Sequence, residues 1–197
     1  MATEVVNPET KTRELVLGGQ RSGKSRCAEL RAAEWLARDP AHRAVLIATG
    51  TAHDAEMRER IARHRADRAQ RVPGLVTVEE PVQLGPAVAR HTESSTLVLV
   101  DCLTLWLTNL LMPAEAAGAA PPCAATAEMA LLHALHDARG PVLLVSNEIG
   151  LGVIPMGREA RAFVDALGRL NQQVAAACER VTLMAAGLPL SLKEVAL

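Results

Sequence analysis

LVLGGQRSGKS, Leu15 to Ser25, decides the fold. A short run of β formers leads into Gly18, four intervening residues, then Gly23, Lys24 and Ser25. This is the Walker A pattern, and its context is right when a strand precedes it and a helix follows. Each part has a physical task. The glycines let backbone N–H groups turn toward phosphate oxygens without a Cβ clash. The start of the following helix adds partial positive charge. Lys24 is placed to neutralise the β and γ phosphates, and the Ser25 hydroxyl to ligate Mg²⁺.

Working outward, short apolar runs alternate with longer helical stretches. Strands are expected at Glu14–Gly18, Ala44–Thr49, Leu75–Glu79, Thr96–Asp101, Pro141–Asn147 and Val181–Ala185. Several are apolar throughout, as in strands buried on both faces of a parallel sheet. Helices are expected at Lys24–Arg38, Asp54–Ala69, Val82–Arg90, Leu103–Leu111, Ala124–Ala138 and Arg158–Glu179. The order implies βαβ units and an α/β domain. We expect a flexible polar tail over residues 1–12 and a single domain over 13–197.

The chain has 197 residues, 49% of them apolar. Trp35, Trp106 and Phe163 are the only aromatic residues, so the core must be Ala, Val and Leu. A net charge of −1 argues against a general nucleic-acid binder. The run Leu97 to Met112 is broken by Asp101 and Asn109 and falls short of the ~20 residues a membrane span needs. Four scattered cysteines without a CxxC pair fit free thiols in a reducing cytoplasm.

STLVLVD ends a buried strand in Asp101, where a Mg²⁺-binding acid of an NTP site would stand. The same carboxylate could also cap the helix from Leu103. DAEMRERIARHRADR, Asp54 to Arg68, holds nine charged residues in fifteen. At helical spacing Met57, Ile61 and His64 share one face, with Arg60, Arg63, Arg65 and Arg68 around them. The histidine is either a hydrogen-bonded packing residue or a nucleophile. A neutral imidazole is abundant near pH 7, and flanking guanidinium groups favour the neutral ring and bind phosphates. Such a ring could hold a phosphorus atom as a phosphoramidate.

GGQRSGKS, IATGTAHDAEMRERIARHRADR, VTVEEP, VLVDCLTLWLTNLL, SNEIGLGVIP and GRLNQQ, in this order, resemble the bifunctional adenosylcobinamide kinase / adenosylcobinamide-phosphate guanylyltransferase family. The resemblance runs from about Arg13 to Lys193. It implies a P-loop α/β domain of the RecA-like type, with a mainly parallel sheet flanked by helices, assembled as a homotrimer. It implies phosphorylation of the adenosylcobinamide hydroxyl by ATP or GTP with Mg²⁺. GMP then passes from GTP to that phosphate through a covalent histidine, at the position of His64. Nucleotide contacts would fall on Gly18, Gly19, Gln20, Arg21, Ser22, Gly23, Lys24 and Ser25, and on Ala48, Thr49 and Gly50. Further contacts would fall on Arg65, Ala66, Asp67 and Arg68, with Glu79 and Asp101 completing the set.

Glu79 is read here as the acceptor for guanine N1 and N2, or else as a surface acid. Glu148, at a strand end before two glycines, is read as contacting the corrinoid or placing its hydroxyl. The other reading of Glu148 is a structural turn. Arg161 and Asn171 are taken as solvated or interface residues. Leu75 stands where the resemblance leads one to expect Trp. The helix Asp54–Ala69 is expected to move toward the cradle when GTP binds. Two rival readings are a simple P-loop small-molecule kinase and a non-catalytic nucleotide-binding module.

Overall fold

A computed structural model of the chain describes residues 12–51, 55–113, 121–153 and 155–194. The side chains of residues 55–57, 60, 61 and 64 lie outside that description. So does the expected tail, apart from Thr12.

The strands are β1 (Arg13–Gly18), β2 (Arg43–Ala48), β3 (Leu75–Glu79), β4 (Thr96–Asp101), β5 (Val142–Val145), β6 (Arg180–Ala185) and β7 (Leu188–Glu194). The helices are α1 (Lys24–Arg38), α2 (Ala55–Arg71), α3 (Leu84–His91), α4 (Leu103–Leu111), α5 (Ala124–His136) and α6 (Arg158–Ala177). One sheet carries all seven strands in the order β3-β2-β4-β5-β1-β6-β7. Every pairing is parallel except β6 with β7.

The apolar runs are double-faced because side chains alternate along a strand. Leu15 and Leu17 enter one core with Val98, Val100 and Leu144. Val16 enters the other with Leu97, Leu99, Leu143 and Val145. Helices α3 to α6 cover the first face through Leu84, Trp106, Leu131 and Leu170. Helix α1 covers the second through Ala28, Ala32 and Trp35, and Leu75 packs against the same cluster. Both indoles are bonded as well as buried: Trp106 Nε1 donates to Val82 O at 2.8 Å and Trp35 Nε1 to Arg43 O at 3.0 Å. No described helix is long and apolar enough to cross a membrane.

Strand β7 is an addition to the expected strands. LPLSLKE is exposed at six of its seven positions and carries Pro189, so it lacks the apolar signature of the central strands. Its antiparallel return is made by Ala186 and Gly187, with φ of 52° and 81°. Positive φ at both turn residues is what a tight two-residue hairpin needs.

Candidate active site

Parallel strands end on one edge, and the register lines up their last residues. Glu79 pairs with Ala48, Ala48 with Asp101, Asp101 with Val145, and Val145 with Val16. The loops after β1, β5, β4, β2 and β3 therefore open on the same side, where α/β proteins bind ligands.

The loop after β1 is built for close approach. A Cβ on Gly18 would come within 2.5 Å of the Met184 carbonyl and Ser22 Oγ. Gly23 sits at φ 99° and leads into α1. No acidic residue occupies the first turn of α1, so its positive end is not neutralised there. Ser22 accepts from Gly187 N at 3.1 Å, which props the loop on the β6–β7 turn. Lys24 is buried, and its Nζ donates to Gly19 O at 2.7 Å across the loop. Ser22 Oγ is buried with no hydrogen-bond partner among the described residues. A buried hydroxyl without a partner calls for an explanation, and a phosphate oxygen supplies one.

Asp101 ends β4 and is half-buried. Beside it, the Cys102 thiol is pushed up to about 11, first by burial and then by the Asp101 charge, while Lys24 pulls the other way. The loop lysine and the β4 acid thus act on one shared neighbourhood. Thr49 Oγ1 donates to Cys102 O at 2.7 Å and accepts from Cys102 N at 2.9 Å, locking the end of β2 to the end of β4.

Between β1 and β4 stands β5, whose continuation is Ser146-Asn147-Glu148. Glu148 N donates to Gly18 O at 3.1 Å, so this acid sits directly beside the loop. Its Oε1 accepts from Gly150 N at 3.1 Å.

Other expected contacts are spread further. Glu79 lies four strand spacings from β1, about 19 Å, and is ion-paired with Arg65. Arg68 is buried against Glu29 of α1 at 3.3 Å, and Arg71 pairs with the same carboxylate. Asp67 pairs with Arg71 at 3.5 Å, and Ala66 is exposed. Among the residues just after the histidine, Arg68 therefore fastens α2 to α1 and Arg65 fastens it to β3. His64 lies on α2, one turn before Arg68, and its side chain is outside the described residues.

Three residues that support this edge were not given that role by sequence. Asn171, taken above as solvated or at an interface, is only 4% exposed. Its Oδ1 accepts from Ser146 Oγ at 2.7 Å, and its Nδ2 donates to Asn147 O at 3.0 Å. The helix α6 stripe hid this role, because Asn171 sits beside Leu170 on the apolar face. Arg161, by contrast, is exposed as expected. Asn109 Nδ2 donates to Thr49 O at 2.8 Å and Pro81 O at 3.0 Å, while Thr51 Oγ1 donates to its Oδ1 at 3.3 Å. The signal for Asn109 was present: it is a lone amide in the apolar helix LTLWLTNLL. Thr104 Oγ1 accepts from Asn147 N at 2.9 Å.

The arrangement can hold a triphosphate on the β1 loop, with a hydroxyl and a carboxylate for a cation and a second carboxylate between them. Comparison with known proteins gives the fold and the family. A solved structure with the same fold is the flagellar accessory protein FlaH from Methanocaldococcus jannaschii, at TM-score 0.53 and 10% identity, covering 94% of this chain and 80% of that one. The RecA-like α/β architecture stands on this match and on the strand order. Among curated relatives, the bifunctional adenosylcobalamin biosynthesis protein CobP of Pseudomonas aeruginosa is 46% identical over 181 residues, 92% of this chain and 97% of the relative. The bifunctional adenosylcobalamin biosynthesis protein CobU of Escherichia coli K12 is 36% identical over 187 residues, 91% of this chain and 98% of the relative. The family profile described as "Cobinamide kinase / cobinamide phosphate guanyltransferase" matches residues 14–192. The chain belongs to this family, and is a bifunctional kinase and guanylyltransferase of adenosylcobalamin biosynthesis.

Proposed function

We propose that one cradle serves both reactions, with Lys24, His64 and Glu148 as the catalytic residues. In the first reaction the hydroxyl of the adenosylcobinamide arm attacks the γ phosphorus of ATP or GTP. An O–P bond forms, the β–γ bridging bond breaks, and the nucleoside diphosphate leaves. Glu148 takes the hydroxyl proton; its place beside Gly18 O supports this role. Lys24 and the loop N–H groups stabilise the charge in transit.

In the second reaction a ring nitrogen of His64 attacks the α phosphorus of GTP. A P–N bond forms and pyrophosphate departs from the same loop. The phosphate of adenosylcobinamide phosphate then attacks that phosphorus, the P–N bond breaks, and adenosylcobinamide-GDP is released. Glu79, at the far end of the row, accepts from guanine N1 and N2. For this it must exchange its exposed pairing with Arg65, a contact worth only about 0–1 kcal/mol. The remaining nucleotide contacts of this reading are Gln20, Arg21, Ala48, Thr49, Gly50 and the Arg65–Arg68 turn. Helix α2 moves toward the cradle when GTP binds.

The donor set for Mg²⁺ is the Ser25 hydroxyl and the Asp101 carboxylate, both hard oxygen ligands. Among the described residues no three His, Cys, Asp or Glu side chains converge as a protein-only metal site. Two protein oxygens plus phosphate oxygens suit an ion that arrives with the nucleotide. When bound, the ion would neutralise phosphate charge. Self-association as a homotrimer in the cytoplasm completes the reading; exposed Leu188, Leu190 and Leu192 on edge strand β7 support an assembly.

The observation that carries the cradle is the unpartnered Ser22 Oγ inside a loop that Lys24 already spans. The test of the two-step account uses GTP labelled at the α phosphorus. Label should stay on the denatured wild type, survive base, break in acid and be absent from His64→Ala. Label retained by His64→Ala would move the nucleophile to another residue, and label never retained by wild type would remove the covalent step.

A further inference from the structure

Past Glu148 the chain exposes an unusual run of apolar side chains. Leu151, Val153 and Met156 are 78%, 96% and 95% exposed. Ile149 beside them, and Leu111 and Met112 at the end of α4, are exposed too. Six of the twelve large exposed apolar side chains among the described residues thus flank one place. Between the 149–156 segment, α4 and α6 runs a groove of about 370 Å³. Its walls include Thr108, Met112, Ile149, Ala160, Phe163 and Val164, and no described residue lining it is charged. Contiguous exposed apolar surface of this kind marks a binding site rather than idle surface.

The groove is shaped independently of any ligand. Arg161 donates to Pro155 O at 3.1 Å and Met156 O at 2.5 Å, tying the segment back onto α6. It is also continuous with the catalytic edge. Thr104 Oγ1 holds Asn147 N, and Thr108, one turn later on α4, donates to Thr104 O at 2.9 Å and lines the groove. One helical turn, about 5.4 Å, thus separates the groove wall from the backbone next to Glu148.

Two substrate chemistries meet at this edge. The nucleotide is polyanionic and is served by the loop after β1. Cobinamide is a broad ring rimmed with methyl groups and neutral amides, bearing one alcohol arm. An uncharged apolar groove with a single hydroxyl fits the second and would reject the first. We propose that this groove binds the rim of the cobinamide ring, with the arm running past Asn147 to Glu148. The proposal rests on Glu148 facing the acceptor, and so deepens the functional reading. The volume admits one edge of the ring and leaves the rest outside.

Ala160 and Met112 are both exposed, so large or charged replacements there leave the core intact. Ala160→Trp would fill the groove and Met112→Glu would put a charge on its wall. Each should raise KM for cobinamide in the kinase reaction tenfold or more. Self-guanylylation by α-labelled GTP, measured without cobinamide, should stay within twofold of wild type, which also certifies the fold. An unchanged cobinamide KM in both variants overturns the proposal. So does a shift in light-scattering mass with KM unaffected, which would give the groove to a second copy of the chain. A wild type that never retains label would sink the histidine step instead, while the KM comparison would still read the groove.

Discussion

The loop of residues 18–25 rests on Met184, Gly187 and buried strand β1, whereas α2, among its described side chains, meets the rest of the chain through Arg65, Arg68 and Arg71. The first region is fixed by backbone hydrogen bonds and close packing. The described side chains of the second are held by ion pairs, with Val72, just past its end, buried in the core. On the proposed reading both reactions need the triphosphate in one place, so a preset cradle loses nothing to reorganisation. On the same proposed reading only guanylyl transfer needs the histidine helix. The exposed Arg65–Glu79 pair can be exchanged at small cost, whereas the buried Glu29 anchor of Arg68 holds the C-terminal end of α2 in place.

The largest expected effect tests the shared half of this contrast. Lys24→Ala should slow the kinase step and self-guanylylation together, each by about 10²–10³-fold. Rates from parallel single-turnover assays would check it. A loss confined to one reaction would mean that the two do not share the cradle.

Next comes the fastening of α2. The Glu29 carboxylate is 3% exposed and holds both Arg68 and Arg71. Glu29→Ala leaves the Arg68 guanidinium, 10% exposed, without its partner. Breaking a buried pair from one side costs about 3–5 kcal/mol. Because Arg71 is 35% exposed, the low end, about 3 kcal/mol, is expected. Urea unfolding would measure it. Self-guanylylation should fall more than the kinase rate in the same variant. Equal falls would show that α2 and the cradle behave as one unit.

Much of this was legible in the sequence, for reasons that differ by region. The central strands announce themselves because they are buried on both faces, and TLVLVD or VLLV has no other good reading. The loop after β1 is legible because phosphate binding needs glycine and lysine at fixed offsets. The hairpin to β7 was not legible, since its turn uses Ala186 at positive φ, where glycine or asparagine would have flagged it. Glu29 gave no signal either. A carboxylate in KSRCAELRAAEWLAR reads as solvent-facing until α2 is seen to lie over it. Asn171 failed for the same reason: its partners, Ser146 and Asn147, are reached only through the tertiary fold.

The smallest effect expected is also the sharpest divider between the two regions. Asn171 supports Ser146 and Asn147, which adjoin the cradle. Asn109 supports Thr49 and Thr51, the last described residues before α2. Both amides are positioning residues: they act through the backbone they hold. Removing either leaves partly buried partners without a hydrogen bond, at about 1–3 kcal/mol. The kinetic consequences should separate. Asn171→Ala should lower kcat of both reactions several-fold, because the Glu148 strand end loses its support. Asn109→Ala should slow self-guanylylation while leaving the kinase kcat within about twofold. Asn171→Asp keeps the acceptor for Ser146 but sets an oxygen against Asn147 O, so it should be no better than Ala. If the two alanine variants gave the same profile across both reactions, the division between a common cradle and a separately held histidine helix would not survive.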